Sequence, residues 1–192
     1  MTDRVRADER AVAGAADELV VRPQVSRDKP TVDSDGQLYG GIEDVEHARL
    51  TPHVDHRGSL TEVVNLEHPF WREPIVHVYS IVIRPGRIKG WGMHLLQADR
   101  YFLSTGSVRV VLYDGRVNSP SYGRYEVRSF DETTPGLLRI PPGVWHADQN
   151  TGDRDVVVLN LPTRPFDRAT PDKYRIDPHS EEIPFDWTLR DG

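Results

Sequence analysis

Two histidines and one carboxylate are the candidate catalytic residues of this 192-residue chain. His94 and Asp99 lie five residues apart, and His146 follows a Pro-Pro-Gly turn that should aim its ring into a barrel interior. Two imidazoles and a carboxylate form a set that can hold iron, manganese, nickel or zinc and leave positions open for a substrate. The chain has no cysteine, so histidine and carboxylate side chains must supply the ligands of any bound metal.

Short β-rich runs broken by Gly, Pro, Asn and Asp predict the elements that position these side chains. The predicted strands are Leu60–Asn65, Ile75–Ile83, Tyr101–Ser104, Ser107–Tyr113, Arg124–Phe130, Leu137–Ile140 and Asp155–Leu161. Their lengths and spacing are typical of an antiparallel sandwich or barrel. The sequence therefore predicts an all-β fold.

Two of these runs alternate between apolar and polar side chains. Val108, Val110 and Leu112 share one face of the first run, and Tyr125 and Val127 share one face of the second, opposite its charged residues. Successive side chains of a strand point to opposite faces of the sheet. Each of these strands is therefore predicted to have one buried apolar face and one solvent-exposed face.

The charge and hydropathy of the chain exclude two classes of partner. It has 24 basic and 30 acidic side chains and a net charge of −6, without a concentrated Lys/Arg block. Phosphate-backbone binding requires such a basic surface, so nucleic acid is not expected as a partner. No long apolar run predicts a membrane span, and the charged first thirty residues do not resemble a secretory signal. We expect a cytoplasmic protein with no membrane partner.

The two ends of the chain differ in composition from its centre. Residues 1–41 are predicted to be an N-terminal extension, partly flexible, with one short amphipathic helix around Ala7–Leu19. Residues 42–192 are predicted to form a single domain. Its last thirty residues are rich in proline and should wrap the barrel as an irregular coil. The expected aromatic anchors of this wrap are Phe166, Tyr174, Phe185 and Trp187.

The spacing of glycine, histidine and proline residues resembles the two sequence motifs of the cupins. The first motif is matched by Gly86, Gly92, His94, Asp99 and Gly106, and the second by Pro141, Gly143, His146 and Asn150. In metal-binding cupins a histidine stands at the position of Gly92 and usually a glutamate at that of Asp99. The resemblance implies a cupin double-stranded β-helix, a jelly-roll barrel closed around a polar pocket.

Three longer segments are similar to dTDP-4-dehydrorhamnose 3,5-epimerase and related sugar-nucleotide epimerases within the cupins. Asp55–Glu62 resembles the family's Asp-x-Arg-Gly segment, Asp114–Gly123 its Asp-x-Arg-x-x-Ser-Pro-Thr-x-Gly turn, and Ile140–His146 its Ile-Pro-x-Gly-Phe-Ala-His run. The similarity extends from about Pro52 to Trp187. The Ser-Pro turn is the most specific of the three segments, because its polar and glycine positions agree over ten residues.

This second resemblance implies an enzyme that removes a proton next to a keto group of a nucleotide sugar, such as a 4-keto-6-deoxyhexose, without a metal or other cofactor. By position the base falls on His94, and His146 is the second histidine of the pocket. The residues expected to contact the substrate are Arg57, Glu62, His77, Tyr79 and Asn160. Arginine suits the nucleotide diphosphate because its guanidinium group can bind phosphate through two hydrogen bonds.

The chain departs from this family at four positions, and the first is Trp91, where the family has an arginine just before the Gly-x-His step. Asp99 stands where the family has a lysine that stabilises the enolate, and Asn160 stands near the position of the tyrosine that acts as the opposing acid. The carboxylate that orients the base aligns with Ser180, beside Glu181. The resemblance together with these departures predicts an epimerase or isomerase of altered chemistry, with Asp99 among its catalytic residues.

Two alternatives to this function stay open. The first is a metal-dependent cupin enzyme that binds its ion through His94, Asp99 and His146. The second is a non-catalytic cupin whose pocket binds a sugar or another metabolite. In either case the family resemblance implies a homodimer in which N-terminal strands are exchanged, and Gln37–Ile42 is the candidate strand.

Overall fold

The structure, a computed structural model, describes residues 41–189 and is built almost entirely from strands. In this range it has the 3-10 helix Pro69–Trp71 and the strands β1 Glu46–Arg49, β2 His53–Asp55, β3 Gly58–Leu60, β4 Tyr79–Ile83, β5 Ile88–Met93, β6 Asp99–Thr105, β7 Ser107–Asp114, β8 Tyr125–Asp131, β9 Gly136–Ile140, β10 Val144–Asn150, β11 Val156–Asn160 and β12 Tyr174–Arg175. The prediction of an all-β fold is confirmed.

Ten of these strands form two antiparallel sheets of five strands each. The first sheet has the order β1-β9-β6-β11-β4 and the second the order β12-β5-β10-β7-β8, while β2 and β3 pair as a separate hairpin. From β4 to β12 the chain crosses repeatedly between the two sheets, for example from β6 to β7 and from β9 to β10. This arrangement is the jelly roll of a cupin, as the motif spacing predicts.

The apolar face of β7 lies at the centre of the barrel core. Val108, Val110 and Leu112 are each at most 1% exposed and pack with apolar side chains of the opposite sheet, among them Leu138 and Val158. The buried apolar face predicted for this strand is confirmed, but the predicted solvent-exposed face is wrong, because Val111 is 0% exposed and packs in the cluster of Ile183 and Trp187. The buried apolar side chains hold the two sheets face to face, which fixes the direction of the strands that carry the candidate site.

The charged face of β8 is buried, contrary to the prediction that Tyr125 and Val127 form the buried face. Glu126 and Arg128 are at most 6% exposed and form an ion pair with a Nε–Oε1 distance of 2.6 Å. Glu126 also accepts a hydrogen bond from the backbone N–H of Ile42 at 2.8 Å. These partners compensate the burial of the two charges. Tyr125 and Val127 instead pack under the C-terminal segment, where they are only half-buried.

Five of the seven predicted strands are confirmed to within two residues at each end. The strand predicted at Ile75–Ile83 begins only at Tyr79, and the one predicted at Leu60–Asn65 is wrong beyond Leu60, which ends the exposed β2–β3 hairpin. β5 and β10 are not predicted, because neither sequence alternates clearly between apolar and polar residues. These two strands nevertheless carry or precede both candidate histidines.

The C-terminal segment covers the outer face of the second sheet. Trp187 and Ile183 are buried there against Trp91 of β5, and the half-buried Phe185 packs with them. Arg109 donates a hydrogen bond to the carbonyl oxygen of Trp187 at 2.9 Å. The predicted wrap and two of its anchors are therefore present.

The other two predicted anchors are wrong, because Phe166 is 53% and Tyr174 is 46% exposed. Tyr174 is held by its backbone instead, as part of β12, which pairs with the edge of β5.

Several predictions concern residues outside the described range 41–189. They are the N-terminal extension of residues 1–41, its helix around Ala7–Leu19, and most of the exchanged strand Gln37–Ile42. Within the range, none of the helical structure is long and apolar enough to cross a membrane.

Candidate active site

The candidate catalytic residues lie on three strands that meet at one end of the barrel. His94 directly follows β5, Asp99 begins β6, and His146 lies on β10. β5 and β10 are neighbours, and their register places Gly92 opposite His146. Since Gly92 has no side chain, the side chain of Lys173 can occupy the space beside the His146 ring.

These three side chains are buried and converge on one point. The Oδ2 atom of Asp99 lies 3.5 Å from the Nε2 atom of His94 and 3.5 Å from that of His146. The two imidazole rings are nearly parallel, with centroids 6.0 Å apart. All three side chains are less than 10% exposed. The structure therefore brings together the three residues that the sequence singles out.

Hydrogen bonds to main-chain carbonyl groups fix the tautomers of both histidines. The Nδ1–H of His94 donates to the carbonyl oxygen of Asp172, and the Nδ1–H of His146 points at the carbonyl oxygen of Val144 at 3.4 Å. The Nε2 atoms consequently carry lone pairs and face Asp99. Oδ1 of Asp99 accepts a hydrogen bond from Gln97, but its Oδ2 has no hydrogen-bond partner among residues 41–189. Three hydrogen-bond acceptors, the two Nε2 atoms and Oδ2 of Asp99, thus face one another, and none of them donates to another. Such an arrangement attracts a cation.

Lys173 supplies a cation at this point, and the sequence analysis missed it. Its Nζ atom lies 3.2 Å from Nε2 of His94, in the orientation of a donor to that lone pair. The residue lies immediately before β12, in the segment predicted to be an irregular wrap. The family resemblance places the pocket lysine at the position of Asp99. A search of the few lysines elsewhere in the chain could have found Lys173.

The neighbouring residue Asp172 ties this segment to the loop after β5. Its carboxylate accepts hydrogen bonds from the backbone N–H groups of Leu95 at 2.9 Å and Leu96 at 2.8 Å. The ring of the candidate base His94 is thus bound by the carbonyl group of Asp172 and not by Ser180 or Glu181, where the family resemblance predicts the orienting group. The Ser180 hydroxyl accepts a hydrogen bond from the backbone of Glu182 instead.

Burial and the local charges act on the titration of the two histidines. Burial lowers the pKa of His94, and the positive charge of Lys173 lowers it further, while Asp99 opposes both effects. Burial likewise lowers the pKa of His146, with the same influence of Lys173 and the same opposition from Asp99. The pKa of Lys173 is itself lowered by burial. Both imidazoles are therefore neutral at pH 7, which is the form that can accept a proton.

A cavity of about 300 Å³ opens beside this cluster. Its lining includes Tyr79, Tyr101, His146, Asp148 and Lys173, and the cations Lys89 and Arg175 also border it. A volume of this size suits a sugar ring. His146 and Lys173 thus border a space that can hold a small polar substrate, while His94 lies behind them, with its ring centroid 6.0 Å from that of His146.

Tyr79 contributes a phenol to this cavity and is held by Asn160. The Nδ2 atom of Asn160 donates a hydrogen bond to the Tyr79 hydroxyl at 2.8 Å, and its Oδ1 accepts one from the backbone N–H of Arg100 at 3.1 Å. Asn160 is fully buried. Burial and the nearby charge of Asp99 raise the pKa of Tyr79 to about 12, so its hydroxyl keeps its proton at neutral pH.

Asp148 forms a second buried acid in the cavity, also missed from the sequence. Its Oδ2 lies 3.5 Å from the Tyr101 hydroxyl, and its Oδ1 has no hydrogen-bond partner in the described range. Burial raises the pKa of this carboxyl group to about 7, with a further contribution from the negative charge of Asp99. Its place two residues after His146 on β10 was a usable signal, because such side chains share one face of a strand.

The remaining predicted contact residues lie outside the lining of this cavity. Arg57 is paired with Asp55 on the β2–β3 hairpin, and its side chain is 78% exposed. Glu62 is exposed as well and accepts a hydrogen bond from Asn65. His77 is half-buried and packs beside Tyr79, with ring centroids 5.5 Å apart.

The Ser-Pro turn is a buried polar network next to β7. The Asp114 carboxylate accepts hydrogen bonds from Arg116 at 2.9 Å and from the hydroxyl groups of Ser119 and Ser121, each at 2.6 Å. Burial alone would raise the pKa of Asp114, but these donors outweigh it and hold the pKa well below its usual value. Ser121 also accepts a hydrogen bond from the backbone N–H of Glu43. The turn is thus structural in this chain.

Two proteins of polysaccharide and glycan biosynthesis are similar to this chain in sequence. A probable low-salt glycan biosynthesis epimerase of Haloferax volcanii is 33% identical over 148 residues, which are 76% of this chain and 94% of that protein. The spore coat polysaccharide biosynthesis protein SpsL of Bacillus subtilis is 34% identical over 150 residues, which are 76% of this chain and 96% of that protein. No protein-family model matches the chain.

A solved structure is similar to this chain in fold. The dTDP sugar isomerase from Desulfovibrio desulfuricans G20 has a TM-score of 0.72 and 29% identity, and the superposition covers 78% of this chain and 94% of the isomerase. Each of these three matches covers about three quarters of this chain and more than nine tenths of the other protein. The chain therefore belongs to the cupin family of sugar-nucleotide epimerases that includes dTDP-4-dehydrorhamnose 3,5-epimerase, and it is an epimerase-like enzyme.

Proposed function

We propose that this protein is a sugar-nucleotide epimerase or isomerase that acts on a 4-keto-6-deoxyhexose and uses His94 as its base. The observation that carries this proposal is the tautomer of His94, whose Nδ1–H is bound to the Asp172 carbonyl group and whose Nε2 lone pair faces Lys173, a residue that lines the cavity. The similarity to the Haloferax epimerase and to the Desulfovibrio dTDP sugar isomerase supports the reaction class.

The reaction needs only a proton transfer in each direction. Nε2 of His94 takes the proton from the carbon next to the keto group, and the electron pair of that C–H bond moves into the carbonyl group to give an enolate. Return of a proton to the opposite face of the same carbon inverts its configuration. No oxidant, reductant or cofactor is consumed, since the substrate and the product are isomers.

Tyr79 is the proposed donor for the opposite face. Asn160 stands near the position of the family's acidic tyrosine, and its amide group binds the hydroxyl group of Tyr79 on the neighbouring strand. Two roles follow for residues expected to contact the substrate: Tyr79 donates the proton, and Asn160 positions Tyr79. The raised pKa of Tyr79 keeps that proton available at neutral pH.

A diphosphate group on the substrate is supported by the charges at the cavity border. Lys89 and Arg175 are exposed there, and both can bind phosphate oxygens. Arg57 and Glu62 remain proposed contacts to the nucleotide, although both lie outside the lining of the cavity. His146, Asp99 and His77 are proposed to shape the sugar end of the site.

Proton exchange in heavy water tests this function. We expect wild-type protein to incorporate deuterium next to the keto group of a dTDP-4-keto-6-deoxyhexose, followed by NMR. The variant His94→Asn keeps a donor near the Nδ1 position but lacks Nε2, so exchange should fall by about 10²–10⁴-fold with the fold preserved. His179→Asn, at an exposed position, is the matched control. Binding of the nucleotide sugar without exchange by wild type would instead support a non-catalytic cupin.

A metal-dependent cupin enzyme is the second candidate, favoured by one observation. One ligand atom from each of His94, Asp99 and His146 lies within 4.8 Å of the other two. By donor type these residues fit iron, manganese, nickel or zinc, and such an ion would polarise a carbonyl oxygen. The ammonium group of Lys173 beside His94 opposes a second cation there, which ranks this candidate lower. Stoichiometric metal in the untagged protein that disappears in Asp99→Ala would establish it.

The proposal extends to the assembly and its location. A homodimer located in the cytoplasm is proposed, and the apolar surface next to β4, an edge strand of its sheet in the described part of the chain, supports the dimer. Val76, Val78 and Val82 are each about half exposed there. Apolar edge surfaces of this kind are commonly covered by a partner. The mass of the purified protein from light scattering tests the dimer.

A further inference from the structure

The backbone of Lys173 is held in place on both sides. Asp172 binds two N–H groups of the loop after β5 through its carboxylate, and Tyr174 and Arg175 pair with β5 as strand β12. These contacts hold the backbone of Lys173 beside β5, so its side chain starts next to the site.

The ammonium group of Lys173 occupies the space that Gly92 leaves open. A Cβ atom added to Gly92 would lie 2.6 Å from Nζ of Lys173 and 3.3 Å from Nε2 of His146. The Nζ atom also lies 3.2 Å from Nε2 of His94. The cation thus stands between the two imidazoles, at the cavity border and close to the candidate base.

The charges around Lys173 suit a group that meets developing negative charge. Asp99 and Asp148 attract its positive charge, while burial, Lys89 and Arg175 oppose it. Asp99 alone would repel an enolate oxygen in the same pocket. A cation beside this carboxylate offsets that repulsion, and a half-buried ammonium group interacts more strongly with a new negative charge than an exposed one.

We propose that Lys173 is a catalytic residue whose ammonium group donates a hydrogen bond to the enolate oxygen. It replaces, from the C-terminal segment, the lysine that the family keeps at the position of Asp99. When His94 takes the proton from carbon, the electron pair moves to the carbonyl oxygen, and Lys173 stabilises the charge there without transferring its own proton. This inference rests on the proposed function, because it assigns a role within the same reaction.

The absence of cysteine from the chain allows a direct chemical test. Lys173→Cys removes the ammonium group, and alkylation of the new thiol with 2-bromoethylamine restores it as a thioether analogue of lysine. Alkylation with iodoacetamide adds a neutral group of similar size. Arg168→Cys, an exposed position of the same segment, undergoes the same treatments as the control.

We expect Lys173→Cys to reduce deuterium exchange by about 10²–10³-fold, as for the loss of one donor to an oxyanion. Aminoethylation should raise the exchange rate of Lys173→Cys by at least about tenfold, and alkylation with iodoacetamide should not raise it. Exchange by Lys173→Cys within about threefold of wild type, or equal rescue by both reagents, would overturn the role of Lys173 and leave the proposed function standing. No exchange by wild type would overturn the proposed function and this inference together.

Gly92→Ala provides a second variant that keeps every polar group of the site. Its new Cβ atom would displace the Lys173 ammonium group, so exchange should fall while the unfolding temperature changes little. Full activity of a stably folded Gly92→Ala would contradict the position assigned to Lys173. This test stands even where Lys173→Cys folds poorly.

Discussion

Asn160 donates a hydrogen bond to the hydroxyl group of Tyr79 across two paired strands, at 2.8 Å. Under the proposed function, the phenol that the family places on the strand of Asn160 would be provided here by the neighbouring strand. Lys173 and Asp172 would likewise bring a cation and an orienting carbonyl group from the C-terminal segment. The pocket would then keep the types of chemical group and change the segments that carry them.

Removal of the Tyr79 hydroxyl group should separate proton abstraction from inversion. In Tyr79→Phe, His94 can still remove a proton and return a deuteron to the same face, so the substrate should become labelled. Formation of the epimer should fall by about 10²-fold or more, because the opposite face lacks its donor. NMR follows both products, and Tyr122→Phe, at an exposed position, is the control. Equal loss of labelling and inversion would contradict this division of roles.

The pH dependence of the reaction should reflect the lowered pKa of His94. Burial and Lys173 both disfavour the imidazolium form, against the attraction of Asp99 and Asp172. The neutral base should persist below pH 6.5, and kcat/KM should fall only as the pH decreases further. In Lys173→Met the loss of the positive charge should raise the pKa of His94. Proton NMR titration of the ring measures this shift without substrate, and an acid limb above pH 6.5 in wild type would disagree with it.

The Asp114 network should stabilise the fold in a pH-dependent manner. Asp114→Asn leaves Arg116 without its buried partner and should cost about 3 kcal/mol of unfolding free energy at pH 7. The folded-state pKa of Asp114 is lowered, so its contribution is present above the unfolded pKa of about 3.8 and lost as the pH falls below it. Urea unfolding at pH 7 and at pH 3 measures the difference.

Asp55→Asn is the matched comparison for this variant. It removes a carboxylate from the same Asp-x-Arg spacing, but at an exposed ion pair with Arg57. Exposed pairs contribute little to stability, so its effect should be much smaller than that of Asp114→Asn. Equal effects of the two substitutions would show that burial of the Asp114 network does not matter.

Asp148 should destabilise the protein as the pH rises. Its folded-state pKa is raised from 3.8 to about 7, so the folded protein binds a proton that the unfolded chain has lost between these values. The free energy of unfolding should therefore decrease across that window by up to about 4 kcal/mol, and stay level above it. Asp148→Asn should lack this decrease. Parallel stability curves for the two proteins between pH 4 and pH 8, from urea unfolding, would rule out a buried protonated Asp148.

The strands that the sequence predicts are those with an alternating apolar pattern of their own. The strands that it misses are those whose residue types depend on contacts with segments distant in the sequence. The alternation of Val108, Val110 and Leu112 is enough to place β7. β5 carries glycines where the Lys173 side chain and β10 approach closely, so its sequence shows no strand pattern. The local sequence also does not show that the charged face of β8 is the buried one. The buried carboxylate of Glu126 accepts a hydrogen bond from the backbone of Ile42, which is 84 residues away in the sequence.

The candidate site follows the same rule. His94, Asp99 and His146 belong to motifs with recognisable spacing, and they do converge. Asp172 and Lys173 act on His94 from nearly eighty residues away, in a segment whose prolines predict only an irregular coil. A missing family residue is thus a reason to examine every other residue of that type in the chain.

The pairing of β12 with β5 makes the C-terminal segment part of the candidate site as well as a cover for the second sheet. Under the proposed mechanism, detachment of this segment would remove the carbonyl group that orients His94 and the enolate-binding cation together. Packing at Trp187, on the outer face of the sheet, would then set the fraction of molecules that are competent for catalysis. A protease cut in this segment would be expected to stop turnover while the barrel stays folded.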